Sequence, residues 1–102
     1  MKHLLPQIDR LRRTLAMQTG YYIPRTGAPV KLTSAAFSDT VAALVLALCA
    51  LFDAIRGNAG ADEIKRITAN ANAEWRIVPL PKEQNRQWLS IRNEVNRYRQ
   101  RQ

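Results

Sequence analysis

A chain of 102 residues, 46% hydrophobic and carrying a formal net charge of +8, has enough apolar material for one modest core. A single domain over residues 1–102 is therefore expected, with a small stability margin. One cysteine, Cys49, rules out an internal disulfide, and one histidine, His3, falls short of the ligand count of a zinc site.

The N-terminal MKHLLPQIDRLRR has no continuous apolar segment and no small-residue cleavage site, so no signal peptide is expected. Pro6 suits the first turn of a helix and Gly20 suits the position past its end, predicting a first helix over about 6–18. Leu4, Ile8, Leu11 and Leu15 recur at spacings of four, three and four and form its apolar stripe. Asp9, Arg10, Arg12 and Arg13 are expected to point away from that stripe.

Residues 21–31, YYIPRTGAPVK, contain two prolines and a glycine and read as a long connecting loop. Long loops in compact domains concentrate function, which makes Tyr21, Tyr22, Arg25 and Lys31 candidate contacts. The alternative is that Tyr21, Tyr22, Ile23 and Val30 fold back as a lid on the core.

Val41 to Phe52, VAALVLALCALF, is twelve consecutive apolar residues. Asp39 and Asp53 close the uncharged window well short of the ~20 residues a membrane span needs, so the run reads as a core helix. That helix is predicted over about 34–56, opened by a Thr33 or Ser34 cap and stopped by Gly57. Its large residues (Phe37, Val41, Leu44, Leu48, Leu51, Ile55) fall on one side and alanines fall almost opposite. The line Asp39, Leu46, Asp53 is the expected exposed edge. Cys49 inside this run reads as a small buried hydrophobe in a reducing, cytoplasmic setting.

A third helix is predicted over about 62–75, with Asp62 as its cap and Ile64, Ile67, Ala71 and Trp75 as its stripe. After the extended prolyl segment 77–81, Pro81 opens a fourth helix over about 82–100, seamed by Trp88, Ile91, Val95 and Tyr98. The expected architecture is all-α: one four-helix domain in which the hydrophobic second helix is the hub and three amphipathic helices cover it.

For catalysis the inventory is thin. The eight carboxylates mostly lie beside Arg or Lys, and no Gly-rich phosphate loop, GxSxG elbow or HExxH motif is present, so a non-enzymatic protein without cofactor or metal is expected. Charge is more informative. Residues 1–32 are net +5 and residues 82–102 net +4, whereas 33–61 are net −1 and 62–81 are balanced. Twelve of the sixteen basic residues are arginine, whose planar fork suits phosphate and carboxylate.

If the first and last helices lie side by side, Arg10, Arg12, Arg13, Arg86, Arg97, Arg99 and Arg101 merge into one positive surface. Two functions fit. The first is binding of nucleic acid or a nucleoprotein complex through that surface. The second is a protein-protein inhibitor or adaptor, of the kind phages and plasmids encode, docking on an acidic surface of a host protein. A homodimer through the exposed edge of the second helix is compatible with either, and no membrane partner is expected.

Overall fold

The described residues of the four apolar stripes line the inner faces of helices in the computed structural model, which describes residues 1–19, 21–24, 30–31 and 39–100. The side chains of residues 19, 21, 22, 31, 39, 40 and 98–100 lie outside that description. A 3-10 turn, Lys2–Leu4, leads into α1 (Leu5–Thr19), and β1 (Tyr21–Tyr22) and β2 (Val30–Lys31) follow. Then come α2 (Asp39–Arg56), α3 (Ala61–Ile77) and α4 (Lys82–Gln100). The radius of gyration is 13.1 Å, matching the ~13 Å of a compact chain of this length.

Leu4, Ile8, Leu11 and Leu15 of the first stripe are at most 1% exposed, as are Leu44, Leu48, Leu51, Trp88, Ile91 and Val95. They join Ile64, Ile67 and Ala71 in one continuous core. Removing a Leu-sized side chain from water contributes about 1.5–3 kcal/mol, so these stripes are the main driving force for the helices' association. Leu46 (49% exposed) and Asp53 face outward on α2, as the spacing predicts, while Ala50, expected on the helix-packing alanine face, is exposed beside them and the Asp39 side chain lies outside the described residues.

Close backbone packing joins α2 to α1 and α3, and α4 to the same two helices. Helix α2 thus packs directly against two helices, and α4 joins the core through its side chains Trp88, Ile91 and Val95. The reason lies in the link between α3 and α4. Val78 is extended (φ −101°, ψ 120°) and only 6% exposed, so the short prolyl connection turns α4 back along α3. Trp75 Nε1 donates to Asn85 Oδ1 at 2.8 Å, and Trp88 Nε1 and Arg92 both donate to Asn72 Oδ1, at 3.3 and 3.2 Å. These bonds satisfy the indole N–H groups that burial would otherwise penalise.

Three local expectations are corrected. The left-handed residue that ends α2 is Asn58 (φ 58°), not Gly57. Ala59 N donates to Ala54 O at 2.9 Å and Asn58 N to Ile55 O at 3.1 Å, the paired bonds of a Schellman closure with Asn58 in its left-handed position. Asparagine tolerates that geometry. Helix α3 begins after Gly60, which makes no side-chain cap bond, and Asp62 lies within its first turn beside Glu63, where the carboxylates face the positive end of the helix dipole. Finally, segment 21–31 is not simply an open loop. Tyr21 pairs with Lys31 and Tyr22 with Val30 in a short antiparallel ladder, and Ile23 is buried at 3% exposure, so at that residue the segment covers the core. The start of the predicted second helix at 34, its Thr33 or Ser34 cap, Phe37 and Gly20 lie outside the described residues.

Because Leu48 is fully buried and Leu46 half-exposed, Leu48→Asp is expected to abolish cooperative folding, the uncompensated buried charge costing several kcal/mol against a total of about 5–15. Leu46→Asp is expected to lower the melting temperature by no more than a few degrees. Circular dichroism melts of the two variants compare them directly.

Candidate functional site

Among the described residues, arginines gather in two neighbourhoods of contrasting electrostatics, one neutralised by aspartates and one left positive. The first lies between α1 and α2. Arg12, expected on the surface, is only 6% exposed. Its Nε donates to Asp9 Oδ1 at 2.8 Å, a second nitrogen lies 2.7 Å from the same oxygen, and its guanidinium stacks 3.8 Å from the centroid of the Phe52 ring. A delocalised, weakly hydrated guanidinium is the cation best suited to such a place, because the ring face and the carboxylate together replace its water.

Arg13 shares Asp9, with Nε 3.0 Å from Oδ2, and also donates to the Ile23 carbonyl. It therefore ties the segment after β1 to α1. Arg56 also lies over the Phe52 ring, 5.7 Å from its centroid, and 3.5 Å from Asp53 Oδ1. Leu5, Pro6, Asp9, Arg12, Arg13, Phe52 and Arg56 line a groove here of about 370 Å³, in which each of the three guanidiniums already has a carboxylate partner. Burial alone raises the carboxyl of Asp9, but its hydrogen bonds to Arg12 and Arg13 and their charges outweigh that and hold it below the ordinary value of 3.8. Burial raises the Cys49 thiol, with a smaller contribution from Asp53 and against the nearby charges of Arg12 and Arg13. The thiol is thus kept protonated and inert.

The second neighbourhood lies between α1 and α4. His3 Nε2 lies 3.6 Å from Glu94 Oε2, and Gln7 and Arg10 from α1 line one groove with Arg86, Gln87 and Ser90 from α4. Positions ascending in α1 therefore meet positions descending in α4, so the two helices run antiparallel and bring the two basic ends of the chain together. The groove measures about 440 Å³. Arg10 and Arg86 are both exposed, and neither has a carboxylate within 4.0 Å among the described residues. Two uncompensated guanidiniums beside amide and hydroxyl donors make an anion-attracting surface.

Of the seven arginines expected to merge, the structure brings Arg10 and Arg86 to one groove. Arg12 is a buried structural ion, and Arg13 is half-buried and doubly engaged. Arg97 is exposed but pairs with Glu94 near the chain's N-terminus. The side chain of Arg99, and Arg101 altogether, lie outside the described residues, as do Arg25 and the side chains of Tyr21, Tyr22 and Lys31. Sequence reading missed Gln7, Gln87 and Ser90. The antiparallel pairing of α1 with α4, applied to the polar positions flanking each stripe, is the signal that finds them. Among the described residues no group of three or more His, Cys, Asp or Glu is placed to hold a metal ion, and no helix is long and apolar enough to cross a membrane.

Arg12→Gln is expected to destabilise the fold by about 1–3 kcal/mol through lost charge-assisted hydrogen bonds and ring stacking, whereas Arg10→Gln leaves the melting temperature within about a degree. Thermal melts of the two variants separate the structural arginine from the surface one. The depressed Asp9 carboxyl predicts an acid limb. Its stabilisation is complete above the unfolded value near 3.8 and declines as pH falls through the lower folded value. Asp9→Asn is expected to be less stable than wild type at pH 7 and to converge with it as pH falls below the depressed folded-state value, measured by urea unfolding from neutral to acid pH.

Comparison with models of known protein families, with curated proteins and with solved structures finds no match for this chain.

Proposed function

We propose that this protein is a non-enzymatic accessory protein of the cytoplasm that binds nucleic acid or a nucleoprotein complex through the surface where α1 and α4 meet. The observation that carries this reading is the pairing of Arg10 with Arg86 across the α1–α4 groove, neither guanidinium neutralised by a carboxylate among the described residues. A guanidinium with no internal partner gains more from an external phosphate than one already bonded to Asp9, because only the latter must break an ion pair to bind. The two basic termini, net +5 over residues 1–32 and net +4 over 82–102, add long-range attraction for a polyanion. A docking partner with an acidic protein surface uses the same charge, and the host-protein inhibitor or adaptor reading is the alternative that the binding experiment decides.

Phosphate-led binding has a quantitative signature. Affinity for a random-sequence DNA duplex, measured by fluorescence anisotropy between low and physiological salt, is expected to fall steeply and linearly on logarithmic axes. Arg10→Gln combined with Arg86→Gln is expected to flatten the slope by about 0.9 for each phosphate that the variant no longer neutralises. Absence of binding by wild type at low salt overturns the nucleic-acid reading and favours the acidic-protein partner.

A further inference from the structure

Five residues of α4 form a strip directly opposite its buried seam. Trp88, Ile91 and Val95 face the core at no more than 1% exposure. Lys82, Arg86, Ser90, Asn93 and Arg97 are all exposed and, at 100° per residue, fall within about 80° of arc centred away from that seam. They extend over about 22 Å of helix. The strip holds three cations and two neutral hydrogen-bonding side chains, and no carboxylate lies inside its arc. Glu83 and Glu94 are offset toward the α1 side, where Glu94 meets His3 and Arg97. The side chains of Lys82, Arg86, Ser90 and Asn93 have no ion pair or hydrogen bond to another described residue, so their donors and acceptors face solvent.

We infer that this outer strip of α4 is a reading helix for the major groove of double-stranded DNA, with Asn93 meeting a base edge and Lys82 and Arg86, which have no carboxylate partner among the described residues, meeting phosphates. The inference rests on the nucleic-acid reading above and deepens it by naming the substrate class. A B-form major groove, about 12 Å wide, admits one α-helix, and an asparagine amide matches the donor and acceptor pair of adenine there. Charge complementarity accounts for the cations, and the exposed Asn93 amide, on the same strip toward its C-terminal end, adds a paired donor and acceptor that following a phosphate backbone does not require.

Two other nucleic acids fit less well. The major groove of A-form RNA is too deep and narrow for a helix to read. Single strands are held by stacking on exposed aromatic rings, yet among the described side chains Trp88 is 1% exposed, the Trp75 indole is half-buried and committed to Asn85, and the Phe52 ring is covered by Arg12.

The test is selection from a pool of random DNA duplexes with the full chain, followed by affinity measurements on the selected duplex, a random duplex, a duplex RNA and a single-stranded DNA. Enrichment of an adenine-containing sequence is expected, bound at least about tenfold tighter than duplex RNA or single-stranded DNA. Asn93→Ala is expected to lose about tenfold on the selected duplex, with unchanged affinity for the random duplex and an unchanged salt slope. Asn70→Ala, an exposed asparagine on α3, changes neither, and circular dichroism confirms that both variants fold. If the protein binds nucleic acid but enriches no sequence, or binds duplex RNA or poly-glutamate as well as duplex DNA, the α4 inference is overturned and charge alone is being read. If it binds no nucleic acid even at low salt, the broader functional reading fails as well.

Discussion

The ion pair of the buried Arg12 with the half-buried Asp9, capped by the face of Phe52, is the constraint on which the α1–α2 junction depends. One guanidinium joins two helices, since Asp9 belongs to α1 and Phe52 to α2. The same carboxylate holds Arg13, whose second contact is the Ile23 carbonyl. A single charge cluster thus sets the approach of α1 to α2 and anchors the segment that follows β1. Burying such a pair is costly unless its hydrogen bonds are satisfied. Here Asp9 receives both arginines, and its depressed carboxyl shows that their attraction exceeds the desolvation of its site.

With α1 fixed on one side by that cluster, its opposite side is left to meet α4. The α3–α4 interface decides where α4 lies, and it is polar at its margins: Asn72 and Asn85 accept the indole N–H groups of Trp88 and Trp75. Hydrogen bonds of this kind demand one register, because a shift of one residue on either helix leaves a buried donor without an acceptor. Apolar packing alone tolerates such slips more readily. The asparagines therefore position α4, and through α4 they fix which residues share a groove with Arg10.

Charge is consequently partitioned by the fold and not simply displayed. Around Phe52, three arginines meet two aspartates and are largely neutralised internally. Along the α1–α4 groove and the outer strip of α4, cations stand beside amides and hydroxyls with little acidic company. The net charge of the chain does not distinguish these places, although one serves stability and the other is available to a partner.

The helices, their buried faces and the exposed edge of α2 were legible in the sequence because each depends on a local period. Leu4, Ile8, Leu11 and Leu15 repeat with the helical turn, and Leu46 and Asp53 fall outside the large-residue line of α2 whatever that helix packs against. Asn58 as the left-handed closing residue, in place of the adjacent Gly57, was not legible, since both types tolerate that geometry and only the hydrogen bonds from Ala59 and Asn58 identify the position. The fate of each arginine was decided by tertiary structure alone. Arg10, Arg12 and Arg13 are near neighbours in one basic run, but α1 turns them in different directions, so Arg12 meets a ring from α2, Arg13 a carbonyl beyond β1 and Arg10 the groove with α4. A guanidinium's role depends on what lies within a few ångströms of it, and residues distant in the chain supply those neighbours.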